Sequence, residues 1–328
     1  MNRPELVSRL LIATGMLLAV GAPLFLWAGT PLIHARMAEN GGWNPDVIRA
    51  EVGKPLHLKL ASDDVVHSFA VGQMDMDPVD IEPGKVTDIT LTFDEPGTYT
   101  FYCTRWCGLN HWRMRGTIEV TGASDLTPQP RSPLYVILDL DIDAPHDAAS
   151  VPLEVPSPIR GRKLVGRLPV DLSTEYYQSN SPSEVFNDLA STSLTGPERW
   201  DVVAYLWQSN TTTKALENGR NLYTQNCAAC HGENGAGDGV FADDLRAAGD
   251  ASMQTMNGSM DMTMQTPVDF TDPKRMLGAS PALLQGKILR GGMGTGMPMW
   301  GSIFTEAQIW DLIAYLYSFQ FEYQGETQ

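Results

Sequence analysis

The four cysteines of this 328-residue chain fall in two close pairs, Cys103/Cys107 and Cys227/Cys230, far apart in the sequence. Each pair anchors a separate module, because the residues around them differ in both chemistry and periodicity. Closely spaced thiols outside the cytoplasm default to disulfides. The neighbours of both pairs argue for metal and cofactor chemistry instead.

The first pair lies in "FYCTRWCGLNHWRM", residues 101–114, where Cys103, Cys107, His111 and Met114 follow the spacing C-x3-C-x3-H-x2-M. One cysteine with two histidines and a methionine is the donor set of a blue-copper site. Two thiolates change the chemistry: they can bridge two copper ions and leave each one imidazole to find. "DDVVHSF" supplies the second, His67, on an earlier strand where a turn returns it to the loop. Such a site shares one electron over two metals and suits electron transfer. A Cys103–Cys107 disulfide or a Cys2His2 zinc site would leave Met114 unexplained.

The second pair lies in "CAACH", residues 227–231, the attachment pattern of a c-type haem. Cys227 and Cys230 can reach the two vinyl groups of one porphyrin, and His231 then faces the iron. A redox disulfide or half of a zinc site does not need the adjoining histidine. "GENGAGDG" follows as a loop for the haem edge. "GGMGTGMPMWG", residues 291–301, offers Met293, Met297 and Met299 as the second axial ligand.

The surroundings of the pairs separate into two classes. Between residues 46 and 121, "DVIRAEV", "PLHLKL", "VVHSFAV", "VTDITLTF", "GTYTFYC" and "GTIEV" are β-rich, with turn signals such as "EPGK" and "DEPG" between them. This predicts a small β-sandwich or barrel. His57 alternates out of the Leu56/Leu58/Leu60 face and is expected to be exposed; His34 and His146 sit in no motif. "GASDLTPQPRSP", residues 122–133, reads as a linker. Beyond it the pattern is helical and repeats: "LTGPERWDVVAYLW" (194–207) aligns with "FTEAQIWDLIAYLY" (304–317), sharing Thr, Trp, Asp, Ala, Tyr and Leu. The methionines of "ASMQTMNGSMDMTM", residues 251–264, read as a flexible insertion, with Cu(I) binding the alternative.

The uncharged run "LLIATGMLLAVGAPLFLWAG", residues 10–29, follows Arg3 and Arg9. About 20 apolar residues span a bilayer core, and flanking arginines stay in the cytoplasm. A single uncleaved anchor is expected, with the remainder outside. The net charge of −16 argues against a nucleic-acid partner; it would steer basic protein partners, or simply keep an extracytoplasmic domain soluble.

The C-terminal region resembles cytochrome c domains in its CxxCH, its Met-Pro dipeptide, its aromatic last helix and the connecting "PVDFTDP". That resemblance implies His231 and Met297 as the axial ligands, with Met293 and Met299 as alternates. Residues 157–212 resemble the end of such a domain without a haem motif. Residues 46–121 resemble the dinuclear CuA domain of cytochrome c oxidase subunit II. That implies a cupredoxin Greek-key barrel with ligands His67, Cys103, Cys107, His111, Met114 and the backbone carbonyl of Arg105. Arg105 stands where the family typically has a glutamate that helps hold magnesium, so that magnesium site is in doubt. The family usually has two membrane helices and a tryptophan-rich electron-entry stretch; one helix and no such stretch are found here.

The order of parts resembles subunit II of a caa3-type oxidase. The expected boundaries are 1–30 anchor, 31–121 CuA domain, 122–156 linker, 157–212 haem-less cytochrome-c-like segment and 213–328 cytochrome c domain. The implied role is electron input, from a cytochrome c or a quinol-oxidising complex, through haem c and CuA, to a polytopic haem–copper subunit I that reduces oxygen. The membrane would be the cytoplasmic one, with both redox domains periplasmic. The alternative is the equivalent subunit of a nitric oxide reductase. A copper carrier is a further rival, but carriage of Cu(I) needs no covalent haem.

Overall fold

The computed structural model describes residues 30–323 except 75, 109–110, 123–131, 167–169, 244, 246–266 and 293–296. The anchor expected at residues 1–30 and the methionine-rich run 251–264 thus lie outside the described residues, save Thr30. Among the described residues no helix is long and apolar enough to cross a membrane. The chain forms two compact units. One comprises the described residues up to Phe69, Pro78–Thr98 and Trp106–Leu126; the other comprises Ala70–Asp77, Tyr99–Arg105 and the described residues from Thr127 onward.

The β region contains β1 (Leu32–Ala35), β2 (Val47–Glu51), β3 (Leu56–Ser62), β4 (His67–Val71), β5 (Val79–Ile81), β6 (Val86–Leu91), β7 (Gly97–Tyr102) and β8 (Arg115–Thr121). They form a three-stranded sheet in the order β1-β3-β6 and a five-stranded sheet in the order β2-β8-β7-β4-β5. Both sheets mix parallel and antiparallel pairs: β1 runs parallel to β3 and β2 to β8, while β3 and β6 are antiparallel. This is the two-sheet, cupredoxin-like arrangement expected. Alternation sets the inner face: Leu58 and Leu60 are fully buried, and His57 points outward beside Thr90. β4 is buried along its whole length, so both of its faces are covered. His34, without a motif, pairs with Asp63 at 2.8 Å.

The helical region contains α1 (Leu134–Ile137), α2 (Pro158–Val165), α3 (Thr174–Ser179), α4 (Pro182–Asp188), α5 (Gly196–Ser209), α6 (Thr213–Asn226), α7 (Ala228–His231), α8 (Pro273–Met276), α9 (Pro281–Arg290) and α10 (Glu306–Tyr317). Thr195 and Thr305, the threonines shared by the repeat, each close a capping box on α5 and α10. The side-chain oxygen takes one orphan N–H, and the residue three further on returns the bond.

The repeat extends beyond these two helices. α2 packs on α5 and α6 packs on α10. At the first crossing a Cβ on Gly161 would stand 1.9 Å from the Asp201 carbonyl oxygen; at the second, one on Gly219 would stand 2.1 Å from that of Asp311. Asp201/Asp311 and the adjoining Tyr205/Tyr315 are matched residues of the repeat. Residues 157–212 therefore contain a helix pair built like the pair that frames the haem motif.

The stretch 122–156, expected as linker, is anchored where it is described. Arg290 holds Asp143 through both guanidinium nitrogens, with one N–O distance of 2.7 Å, and the Ala148 N–H donates to the Lys274 carbonyl. Ile142 and Ala148 are buried.

Candidate functional site

The first site is assembled by strand order. β7 and β8 are neighbours in the five-stranded sheet, so the described residues of the loop joining them, 103–108 and 111–114, sit at one end of that sheet. β4 lies on the other side of β7, which brings its first residue, His67, to the same end. His67, Cys103 and Cys107 are all buried, and their ligand atoms lie within 4.8 Å of one another. Cys107 Sγ is 3.4 Å from Nδ1 of His111 and 3.2 Å from Sδ of Met114. Cys103 Sγ is 3.1 Å from the carbonyl oxygen of Arg105. All six expected residues are thus gathered, and no disulfide joins the two cysteines.

A carboxylate not singled out from the sequence orients this site. Asp64 Oδ1 lies 2.7 Å from Nε2 of His67, which leaves Nδ1 for a metal. Burial alone would raise the Asp64 pKa. Hydrogen bonds from His67, Asn40 and the N–H groups of Met37 and Val65 overcome that and hold it at about 2. The spacing D-x-x-H was the available signal. Trp106, partly exposed, places its ring 5.2 Å from that of His111. The Arg105 side chain is exposed and presents no carboxylate.

The second site is the turn α7. It puts Cys227, Cys230 and His231 together directly after α6, whose Tyr223 hydroxyl donates to the Gly232 carbonyl at 2.6 Å. Nδ1 of His231 is 3.1 Å from the Val268 carbonyl, so Nε2 carries the free lone pair. The Phe270 ring stacks on the imidazole, with centroids 4.5 Å apart. Val268 and Phe270 belong to "PVDFTDP", which gives that segment its task. Burial lowers the His231 pKa against the opposing hydrogen bond to Val268, and so favours the neutral imidazole that a metal requires.

Burial pushes the Cys227 thiol up to about 12, with Cys230 adding to the rise, and burial raises Cys230 as well. Of the candidate methionines, Met297 packs partly buried against the helical core, and its carbonyl accepts from the Gly292 N–H. Met299 is 62% exposed, and Met293 lies outside the described residues.

Comparison with known proteins gives a separate family to each site. Residues 44–121 match the family model "Cytochrome C oxidase subunit II, periplasmic domain", and residues 216–320 match "Cytochrome c". Two Thermus thermophilus proteins, each described as cytochrome c oxidase subunit 2, are 38% identical over 79 residues; the match covers 24% of this chain and 58% and 46% of theirs. The chain thus spans about half the length of these curated relatives. Among solved structures, a heme–copper terminal oxidase dimer matches at 24% identity over 36% of this chain and 97% of that chain, with a TM-score of 0.25. The periplasmic domain of subunit II of the Bradyrhizobium japonicum cytochrome oxidase matches at 24% identity over 23% of this chain and 53% of that chain, with a TM-score of 0.21.

Proposed function

We propose that this chain, which joins a periplasmic domain of the cytochrome c oxidase subunit II family to a domain of the cytochrome c family, is the electron-input subunit of a membrane haem–copper oxidase. Its cofactors are the CuA copper pair and one haem c. The observation that carries this reading is the buried His67, Cys103 and Cys107 cluster in the same chain as the "CAACH" turn. Bound there, the two groups supply reversible one-electron chemistry.

The chain's own residues bind and hold these groups. His67, Cys103, Cys107, His111, Met114 and the Arg105 carbonyl would hold the copper pair, with the two thiolates as its principal donors. Asp64 fixes the ring of His67. Cys227 and Cys230 would attach the haem through thioethers, and His231 and Met297 would hold its iron. The burial of His67, Cys103 and Cys107 excludes water and so limits the solvent rearrangement that accompanies a change of charge. Residues 1–30 anchor the chain in the cytoplasmic membrane with both domains on the periplasmic side.

The partner that receives the electrons is the polytopic catalytic subunit I, and the enzyme as a whole reduces oxygen. A basic soluble cytochrome c suits the acidic chain as donor. The similarity to cytochrome c oxidase subunit 2 supports the oxidase over a nitric oxide reductase. Consumption of oxygen and of nitric oxide by the purified complex, fed with reduced cytochrome c, tests this. Fast oxygen uptake with weak nitric oxide turnover is expected; the reverse would overturn it. The oxidised chain should also give an EPR signal shared over two coppers.

A further inference from the structure

Two pieces of sheet belong to the second compact unit: Ala70–Asp77, which ends β4 and turns, and Tyr99–Arg105, which ends β7 and contains Cys103. Ala70 pairs with Tyr102 and Val71 with Phe101, and the Gly72 N–H donates to the Thr100 carbonyl at 2.7 Å. The turn at Gly72–Gln73 is therefore tied to the strand that leads into Cys103.

The same turn grips residues 301–303, just after Met297. The Gln73 N–H donates to the Ile303 carbonyl at 2.8 Å, and its Nε2 donates to the Gly301 carbonyl at 3.2 Å. The approach is so close that a Cβ on Gly72 would stand 2.7 Å from Ile303 Cα and 2.8 Å from the Ser302 carbonyl oxygen. Gln73 has φ of 64°, a conformation that residues with side chains avoid. A turn that merely reversed the chain would place glycine or asparagine there. Glutamine carries the extra donor that this contact uses, and such strain persists where the surroundings over-determine it.

The gripped segment is itself fixed. The N–H groups of Trp300 and Gly301 donate to the Ile288 and Leu289 carbonyls, and Ile303 is buried. Tyr102, next to Cys103, packs against the same helical core as Met297.

We propose that Gly72 and Gln73 form a clamp that holds the segment following Met297 against the strand leading into Cys103. This clamp sets the separation that an electron crosses within the chain. The inference rests on the reading above, in which Met297 and Cys103 belong to the haem and copper centres. The step is a one-electron exchange in which the haem iron is oxidised and the copper pair reduced; no bond forms or breaks. Electron transfer falls steeply with distance and is fastest along bonded, close-packed paths, so a loosened seam slows it. Gly72 and Gln73 are positioning residues and ligate neither centre.

The test uses the full-length chain carrying both cofactors, with Gly72→Val to force the seam apart and Gln73→Gly to relieve the backbone while deleting the Nε2 donor. Two readouts are followed: amide hydrogen exchange at residues 70–74 and 300–304, and the rate at which an electron photo-injected at the haem reaches the copper pair. Gly72→Val is expected to lose the protection of the Gln73 amide and slow the transfer by an order of magnitude or more, with both absorption spectra intact. Gln73→Gly should slow it by a smaller factor without lowering the thermal midpoint. Unchanged protection in Gly72→Val, or lost protection with an unchanged rate, would overturn the clamp. A chain lacking the copper or haem spectrum would instead overturn the functional reading, and the exchange data would still report on the contact.

Discussion

The carboxylate of Asp64 and Nε2 of His67 are 2.7 Å apart at the inner end of the copper loop. Since Asp64 is depressed to about 2, its contribution to folding is present above the ordinary carboxylate pKa, near 4, and lost as pH falls from there through about 2. Unfolding of the copper-free chain measured against pH should therefore show an acid limb in that window, and Asp64→Asn should flatten it. In the metal-loaded chain Asp64→Ala should weaken copper retention about 10–100-fold, read by competition with a chelator.

Met297 and Met299 differ in burial, and this separates them experimentally. Met297→Ala should abolish the thioether–iron absorption signature. Met299→Ala, at a position 62% exposed, should leave it intact. Loss of the signature in Met299→Ala alone would reverse the ligand assignment.

The two glycine crossings predict a graded effect. A methyl group at Gly161 or Gly219 would collide with a helix carbonyl, and neither backbone can move without unpacking its helix pair. Overpacking of this kind costs about 1–3 kcal/mol or more. Gly219→Ala should reduce both thermal stability and covalent haem incorporation, because α6 leads directly into Cys227. Gly161→Ala should lower stability by a similar amount and leave the haem-to-protein ratio in the folded fraction unchanged.

The Phe270 ring covers the imidazole of His231 and is buried among Tyr223 and Phe319. Phe270→Ala should cost about 3–5 kcal/mol in a urea titration. Phe270→Leu, which keeps much of the volume, should cost less. Both should alter the haem redox potential by freeing the imidazole plane.

Both sites were legible because their ligands lie in short contiguous motifs, "CTRWCGLNHWRM" and "CAACH", whose donor types specify the chemistry. The strands with alternating or β-branched runs were also legible. β1 and β5, of four and three residues, were not, since strands so short take their conformation from the partners they pair with. The α5/α10 repeat was visible through shared aromatic and capping residues. Its counterparts α2 and α6 were hidden, because the matching feature is a missing side chain at Gly161 and Gly219. Asp64 carries no distinctive sequence signal, because a carboxylate near a histidine is common on surfaces, and only the folded β4 brings it onto His67. Composition suggests a linker for 122–156; the anchoring of its described residues comes from partners such as Arg290, far along the chain.

The copper ligands come from one loop and one outlying residue, His67, contributed by a strand on the far side of β7. An unfolded chain can offer a metal the thiols, His111 and Met114 as a local set, but it cannot offer His67 until β4 has paired with β7. Metal delivered early would meet an incomplete and oxidisable pair of thiols; metal delivered late meets a closed cage. The complete donor set therefore exists only once β4 has paired with β7.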